Sequence, residues 1–283
     1  MQDERWRWPR DTPTPGSREV AERLGWSLSK VQRIEIGAAT VSVTDLRALA
    51  ELYDAFAPDR LADLANAARI ARRSRWSIAP EYQRYLTPAL IDLMGYEAKA
   101  TVTKAYQPVL VPGVLQTPEM ADYILNYWQG VIGEEQRRVR HEVRMLRRRQ
   151  IVERAGAADY RLVLDESVLG RNIGGRRLWA AQMEELEKLV GLSAVHIRVL
   201  PLSKGGVMGL LGPFAVIGLE EDDAVVYRET WDKDEVVDDV TVVGDHDRYF
   251  ESMWAEALPE DATARLIRAT AASLRADLDR YDP

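Results

Sequence analysis

The run from Glu22 to Phe56, ERLGWSLSKVQRIEIGAATVSVTDLRALAELYDAF, constrains the chain most, because its apolar spacing and its end signals agree on short helices joined by tight turns. Just ahead of it and within it, Val20 and Leu24 lie four apart on one helical face, and Gly25 ends that helix. Ser27 is a favourable N-cap for a second helix, on which Leu28, Val31 and Ile34 recur at three-residue spacing and point inward. Ser29, Lys30, Gln32 and Arg33 then point outward. After Gly37, Ser42 and Asp45 have the spacing of a capping box, opening a third helix with Leu46, Leu49, Leu52, Tyr53 and Phe56 inward.

A helix whose first turns show hydroxyls, an amide and two cations suits a DNA major groove, where Gln is matched to adenine and Arg to guanine. On this reading Ser27 is both cap and phosphate donor, Ser29 and Gln32 read base edges, and Lys30 and Arg33 meet phosphate or guanine. Spacing alone leaves the alternative of a small helical bundle that merely packs. Charge favours a polyanion only in this part: residues 1–75 hold 13 Lys and Arg against 11 Asp and Glu, or +2, whereas residues 76–283 hold 25 against 34, or −9. A surplus of +2 is a weak electrostatic footprint, so tight binding requires two copies, a homodimer reading two half-sites.

The run LGWSLSKVQRIEIG followed by VSVTDLRALAELY resembles the XRE-type helix-turn-helix of actinobacterial regulators. Tyr96–Leu125, Leu162–Gly175 and Val195–Leu219 resemble the domain that follows that helix-turn-helix in WhiJ-like Streptomyces regulators. The resemblance implies a DNA-binding transcriptional regulator, often paired with a small partner protein in an antitoxin-like manner, and a setting beside secondary-metabolite pathways. Two features depart from the pattern. Met1–Ser17, with Pro9, Pro13 and Pro15 and no helical period, stands where such domains have an amphipathic first helix, so the helix-turn-helix bundle is expected to be incomplete. Ala38, Ala39 and Thr40 stand where similar proteins carry arginines, removing phosphate clamps.

The expected organisation is α+β: an irregular Pro/Trp-rich N-terminus over 1–17, a partial helix-turn-helix over 18–57, a helical connector over 58–80 and a larger mixed domain over 81–283 that senses a small-molecule ligand or a partner. The connector gathers Arg69, Arg72, Arg73 and Arg75 at its end, read as a solvated face rather than a phosphate contact. Helical patterns follow over Tyr82–Tyr96 and Glu119–Trp128. Glu134–Arg154 carries eight arginines. Val139, Val143, Leu146, Gln150 and Ile151 line one side of it, and the interleaved glutamates predict a solvated, salt-bridged helix, although an anionic ligand or acidic partner could still meet it. Strands are expected from Tyr160 onward, in RLVLD, AVHIRVL, PFAVIGL and AVVYRE, with a helix over Arg177–Val190, a hairpin loop in SKGGVMGLLGP, and closing helices over Asp247–Ala257 and Pro259–Leu278.

Enzymatic motifs are absent from the sequence. The glycines at 205, 206, 209 and 212 fit neither a dinucleotide fingerprint nor a P-loop, no nucleophile elbow occurs, and the chain has no cysteine. His141, His196 and His246 lack metal spacing. Asp232, Asp234, Glu235, Asp238 and Asp239 read as a solvated acidic loop. No catalytic residue, metal or cofactor is expected, nor a membrane span, and the expected location is the cytoplasm. The rival reading is a small-molecule-binding protein or cofactor-independent cyclase with a vestigial helix-turn-helix, its pocket walled by some of the eight tryptophans and eleven tyrosines.

Overall fold

The computed structural model describes residues 15–36, 41–53, 60, 61, 63–65, 68, 80–152, 159–205, 208–219, 223–229 and 234–281. The chain divides into two compact units, Met1–Ser77 with Asp238–Val240, and Ile78–Val237 with Thr241–Pro283. The expectations for the N-terminal stretch over 1–14, for Ala38, Ala39 and Thr40, for Phe56 and for the connector's arginines lie outside the described residues.

The first unit includes the helices α1 (Ser17–Leu24), α2 (Leu28–Glu35) and α3 (Val43–Tyr53). Val20, Ala21 and Val31 form its buried centre, with Leu24, Trp26, Leu49, Leu52 and Tyr53 packed around them. Leu46 joins Ala65 and Ala68 in a second apolar group.

The second unit is built on a six-stranded mixed sheet of order β3-β2-β1-β4-β5-β6, with β1 at Val102–Gln107, β2 at Asp159–Asp165, β3 at Val195–Leu200, β4 at Phe214–Gly218, β5 at Ala224–Glu229 and β6 at Asp234–Val237. β1, β2 and β3 run parallel, and β4, β5 and β6 continue from β1 antiparallel to one another. Parallel neighbours need long crossovers. The helices Pro118–Tyr127 and Glu134–Val152 lie between β1 and β2, and Arg176–Val190 lies between β2 and β3. Thr87 and Thr117 cap helices that begin with Pro88 and Pro118, each hydroxyl accepting from the amide three residues on. The Thr87 cap also splits the apolar run Tyr82–Tyr96 into Pro80–Gln83 and Pro88–Glu97.

One sheet face packs Ala105, Leu162, Leu164, Ile197 and Val199 against Leu115, Met120, Trp179, Met183, Leu186 and Ile267, uniting the crossover helices with the last helix, Glu260–Tyr281. The other face packs Tyr106, Val163, Phe214, Val216 and Val226 under Phe250 and Met253 of the helix Val240–Glu256. The fold is α+β, with helices on both faces of a mixed sheet.

Four sequence expectations are corrected. β1 is a central strand that the pattern did not reveal, because VTKAYQ places Lys104 in its middle. Lys104 is neutralised by Asp247 at 2.6 Å and Glu251 at 2.7 Å. β6 lies inside the supposed acidic loop: Asp234 accepts the Thr87 hydroxyl at 2.9 Å and Glu235 pairs with Arg228 at 2.5 Å. The glycine-rich segment is not a hairpin, since β3 and β4 are separated by β2 and β1, and it carries the short helical turns Leu202–Gly205 and Met208–Leu211.

The fourth correction concerns the arginine helix. Its intrahelical pairs exist, with Arg138 joined to Glu135 at 2.6 Å and to Glu142 at 2.5 Å. The buried side, however, is turned toward Arg147, leaving Leu146 39% exposed. Arg147 binds Glu97 through two 2.7 Å hydrogen bonds, and Arg148 pairs with Glu185. Guanidinium groups can lie inward here because carboxylates and carbonyls meet them, which the apolar spacing alone does not encode.

Candidate nucleic-acid interface

The helix-turn-helix is assembled by local signals. Gly25 takes the left-handed conformation at φ 67°, ψ 26°, and the amide of Trp26 returns to the Ala21 carbonyl at 2.8 Å, so the chain reverses within three residues. Ser27 is extended, and its hydroxyl accepts from the Lys30 amide at 3.2 Å, opening α2. Ser42 accepts from the Asp45 amide at 2.8 Å to open α3.

On α2, Val31 is buried while Leu28 and Ile34 are half-buried, as their spacing requires. Ser27, Ser29, Gln32 and Arg33 are exposed. They form a contiguous polar surface over the N-terminal two turns, the part of a recognition helix that meets base edges.

Lys30 is placed differently from its neighbours. Its ammonium lies 3.0 Å from Asp45 Oδ1 and 4.3 Å from the centre of the Trp26 ring. Asp45 therefore completes no reciprocal capping box; its carboxylate is turned to Lys30 and ties α2 to α3. From the sequence Asp45 was singled out only as a helix cap and Trp26 was given no role, although the four-residue separation of Trp26 and Lys30 was a usable signal. Burial, with Glu35 and Glu19 nearby, pushes the Tyr53 phenol above its ordinary 10.0, so it stays neutral at the base of α3.

The three histidines of the second unit stand apart from one another. His141 lies 3.1 Å from the Pro118 carbonyl, His196 sits between Asp159 and Glu260 at 3.2 and 3.3 Å, and His246 Nδ1 is 2.7 Å from the Val242 carbonyl. No group of three or more His, Asp or Glu is spaced to hold a metal ion among the described residues. An open cleft of about 400 Å³ runs along Leu169, Gly170 and Asn172 beside Thr270, Ser273 and Leu274. Its tryptophan, Trp179, is 1% exposed and donates its indole N–H to the Leu169 carbonyl at 3.0 Å, so it serves the core rather than forming a flat wall. Trp26, Trp128 and Trp254 stand on separate elements, and Trp6, Trp8, Trp76 and Trp231 lie outside the described residues.

Comparison with known families agrees with this division. The domain of unknown function DUF5753 matches residues 90–269, more than half of the chain. The chain belongs to the DUF5753 family. In this DUF5753 protein a helix-turn-helix domain also matches, over residues 16–64, which holds α1, α2 and α3. No curated protein and no solved structure matches the chain. Among the described residues, no helix is long and apolar enough to cross a membrane.

Proposed function

We propose that this DUF5753 protein is a sequence-specific, XRE-type transcriptional regulator of the cytoplasm, in which residues 18–57 read DNA, 58–80 connect, and 81–283 form a WhiJ-like domain that responds to a small ligand or a small partner protein. The observation that carries the reading is the capped helix α2, with Ser29, Gln32 and Arg33 exposed along its first two turns. Ser27 holds the helix N-terminus and offers its hydroxyl to a phosphate, Ser29 and Gln32 address base edges, and Arg33 addresses guanine or phosphate. Lys30, clamped by Asp45 over Trp26, sets the pitch of α2 against α3 and contributes positive potential at one remove. The weak positive balance of the first 75 residues supports a homodimer on paired half-sites.

Selection from a random duplex library with the full chain tests the reading. A single enriched motif, changed at one position by Gln32→Ala, is the expected result. A library that emerges unenriched, or a motif indifferent to Gln32 and Arg33, would contradict it.

A further inference from the structure

The helix Glu134–Val152 aligns arginines 140, 144 and 147 along one helical row, and their partners differ. Arg147 is answered by the Glu97 carboxylate. Arg144 donates from Nη1 to Gln116 Oε1 at 2.8 Å, a neutral amide whose own Nε2 is held by the Val111 carbonyl at 2.7 Å. Arg140 Nε reaches the Tyr85 carbonyl at 3.4 Å. Among the described residues no carboxylate lies within ion-pairing distance of Arg140 or Arg144. Burial pulls the Arg144 guanidinium down to about 10, with Glu229 opposing that shift and Arg147 and Arg140 adding to it. A cation withdrawn from water without a carboxylate partner is costly to maintain.

Glu229, at the end of β5, lies within electrostatic reach of this row. Its carboxyl is raised above the ordinary 4.5 by burial and by Asp234, against the pull of Arg144, Arg147 and Arg140. Yet solvent reaches the Glu229 side chain. Glu229 thus borders the solvent-facing side of the arginine row. The Pro112–Gln116 turn forms another wall: a Cβ at Gly113 would stand 3.0 Å from Arg144 Nε, so the backbone lies directly against the guanidinium. This turn follows the end of β1, and β5 runs in the same direction as β1, so both walls stand at the carboxyl edge of the sheet, where open α/β sheets bind ligands.

We propose that Arg144 and Arg140, with Gln116 and Glu229 facing them, form a binding site for a small oxyanion, a carboxylate- or phosphate-bearing metabolite. The guanidinium of Arg144 supplies paired donors to the oxyanion and Arg140 a second positive charge, with Glu229 bordering the site. The inference rests on the ligand-sensing part of the regulator reading for its consequence, while the site itself is measurable without DNA.

Calorimetric titration of the full chain, in chloride buffer, with inorganic phosphate and separately with malonate tests the site and tells the two oxyanions apart. Saturable heat with at least one probe is expected, weakened about tenfold or more by Arg144→Gln and less by Arg140→Gln. Arg149→Gln, an exposed position on the same helix, and Arg33→Ala are expected to leave it unchanged. If circular dichroism shows Arg144→Gln unfolded, Arg140→Gln carries the comparison. Absence of saturable heat with both probes up to about 20 mM, binding indifferent to the folded arginine variants, or binding abolished by Arg33→Ala would overturn the proposal. Lost DNA binding with oxyanion binding intact would sink the regulator reading alone, and the converse would sink this site alone.

Discussion

Replacing Glu97 by Gln isolates the energetics of the inward-turned arginine helix. The Glu97 side chain is 7% exposed and that of Arg147 15%, and their two 2.7 Å hydrogen bonds form a fork-to-fork pair. Burial alone would lower the Arg147 guanidinium, but the adjacent Glu97 carboxylate more than reverses this and holds it above its ordinary value. Glu97→Gln keeps the shape and removes the charge, leaving a desolvated cation, a loss of about 3–5 kcal/mol. In a unit of this size each kcal/mol lowers Tm by about 2–4 °C, so the expected fall is roughly 6–20 °C by differential scanning calorimetry. The double variant Glu97→Leu/Arg147→Met removes both charges and fills the space with apolar atoms. It is expected to recover at least about half of the loss, a strong non-additivity. A Glu97→Gln variant within about 1 kcal/mol of the parent chain would refute the argument that these charges depend on each other.

Gly25→Ala introduces a Cβ that meets nothing within 4 Å, so its cost comes from the positive φ alone, about 1 kcal/mol in the thermal stability of the first unit. Ser27→Ala removes the hydroxyl that accepts from the Lys30 amide, with an expected loss of about 1 kcal/mol by denaturant titration and weaker DNA binding besides. Leu162→Ala empties a fully buried position on β2 and is expected to cost about 2–5 kcal/mol by urea unfolding. Glu229 has a folded-state pKa above its ordinary 4.5, so the folded state holds the proton more tightly and Glu229 subtracts stability as pH rises from 4.5 through the raised value. Glu229→Gln is therefore expected to match the parent chain below pH 4.5 and to exceed its Tm increasingly above it; a constant difference across the scan would contradict the assignment.

The helix-turn-helix was legible because its determinants are local. Gly25, Ser27 and Ser42 act on amides within four residues, and Val31 is buried by a period that any helix shares. The strands β2, β3, β4 and β5 were legible for the same reason, as short β-branched runs between turns. β1 and β6 were hidden because their charges are matched from afar: Lys104 by Asp247 and Glu251, Asp234 by Thr87. The arginine helix shows the same limit, since Glu97 and Glu185, remote in sequence, decide which side of it is buried. At the candidate interface, Ser29, Gln32 and Arg33 are exposed as the period predicts, and Lys30 is drawn aside by Asp45 from the following helix.

The central claim is that α2 reads DNA, and fluorescence anisotropy of the full chain on the DNA upstream of its own coding sequence, over a salt series, tests it most directly. The account predicts saturable binding with a steep salt slope. Arg33→Ala should reduce that slope by about 1, and Gln32→Ala should cost about 1–3 kcal/mol with the slope preserved. Absence of saturable binding at low salt, or binding that both substitutions leave untouched, would contradict it.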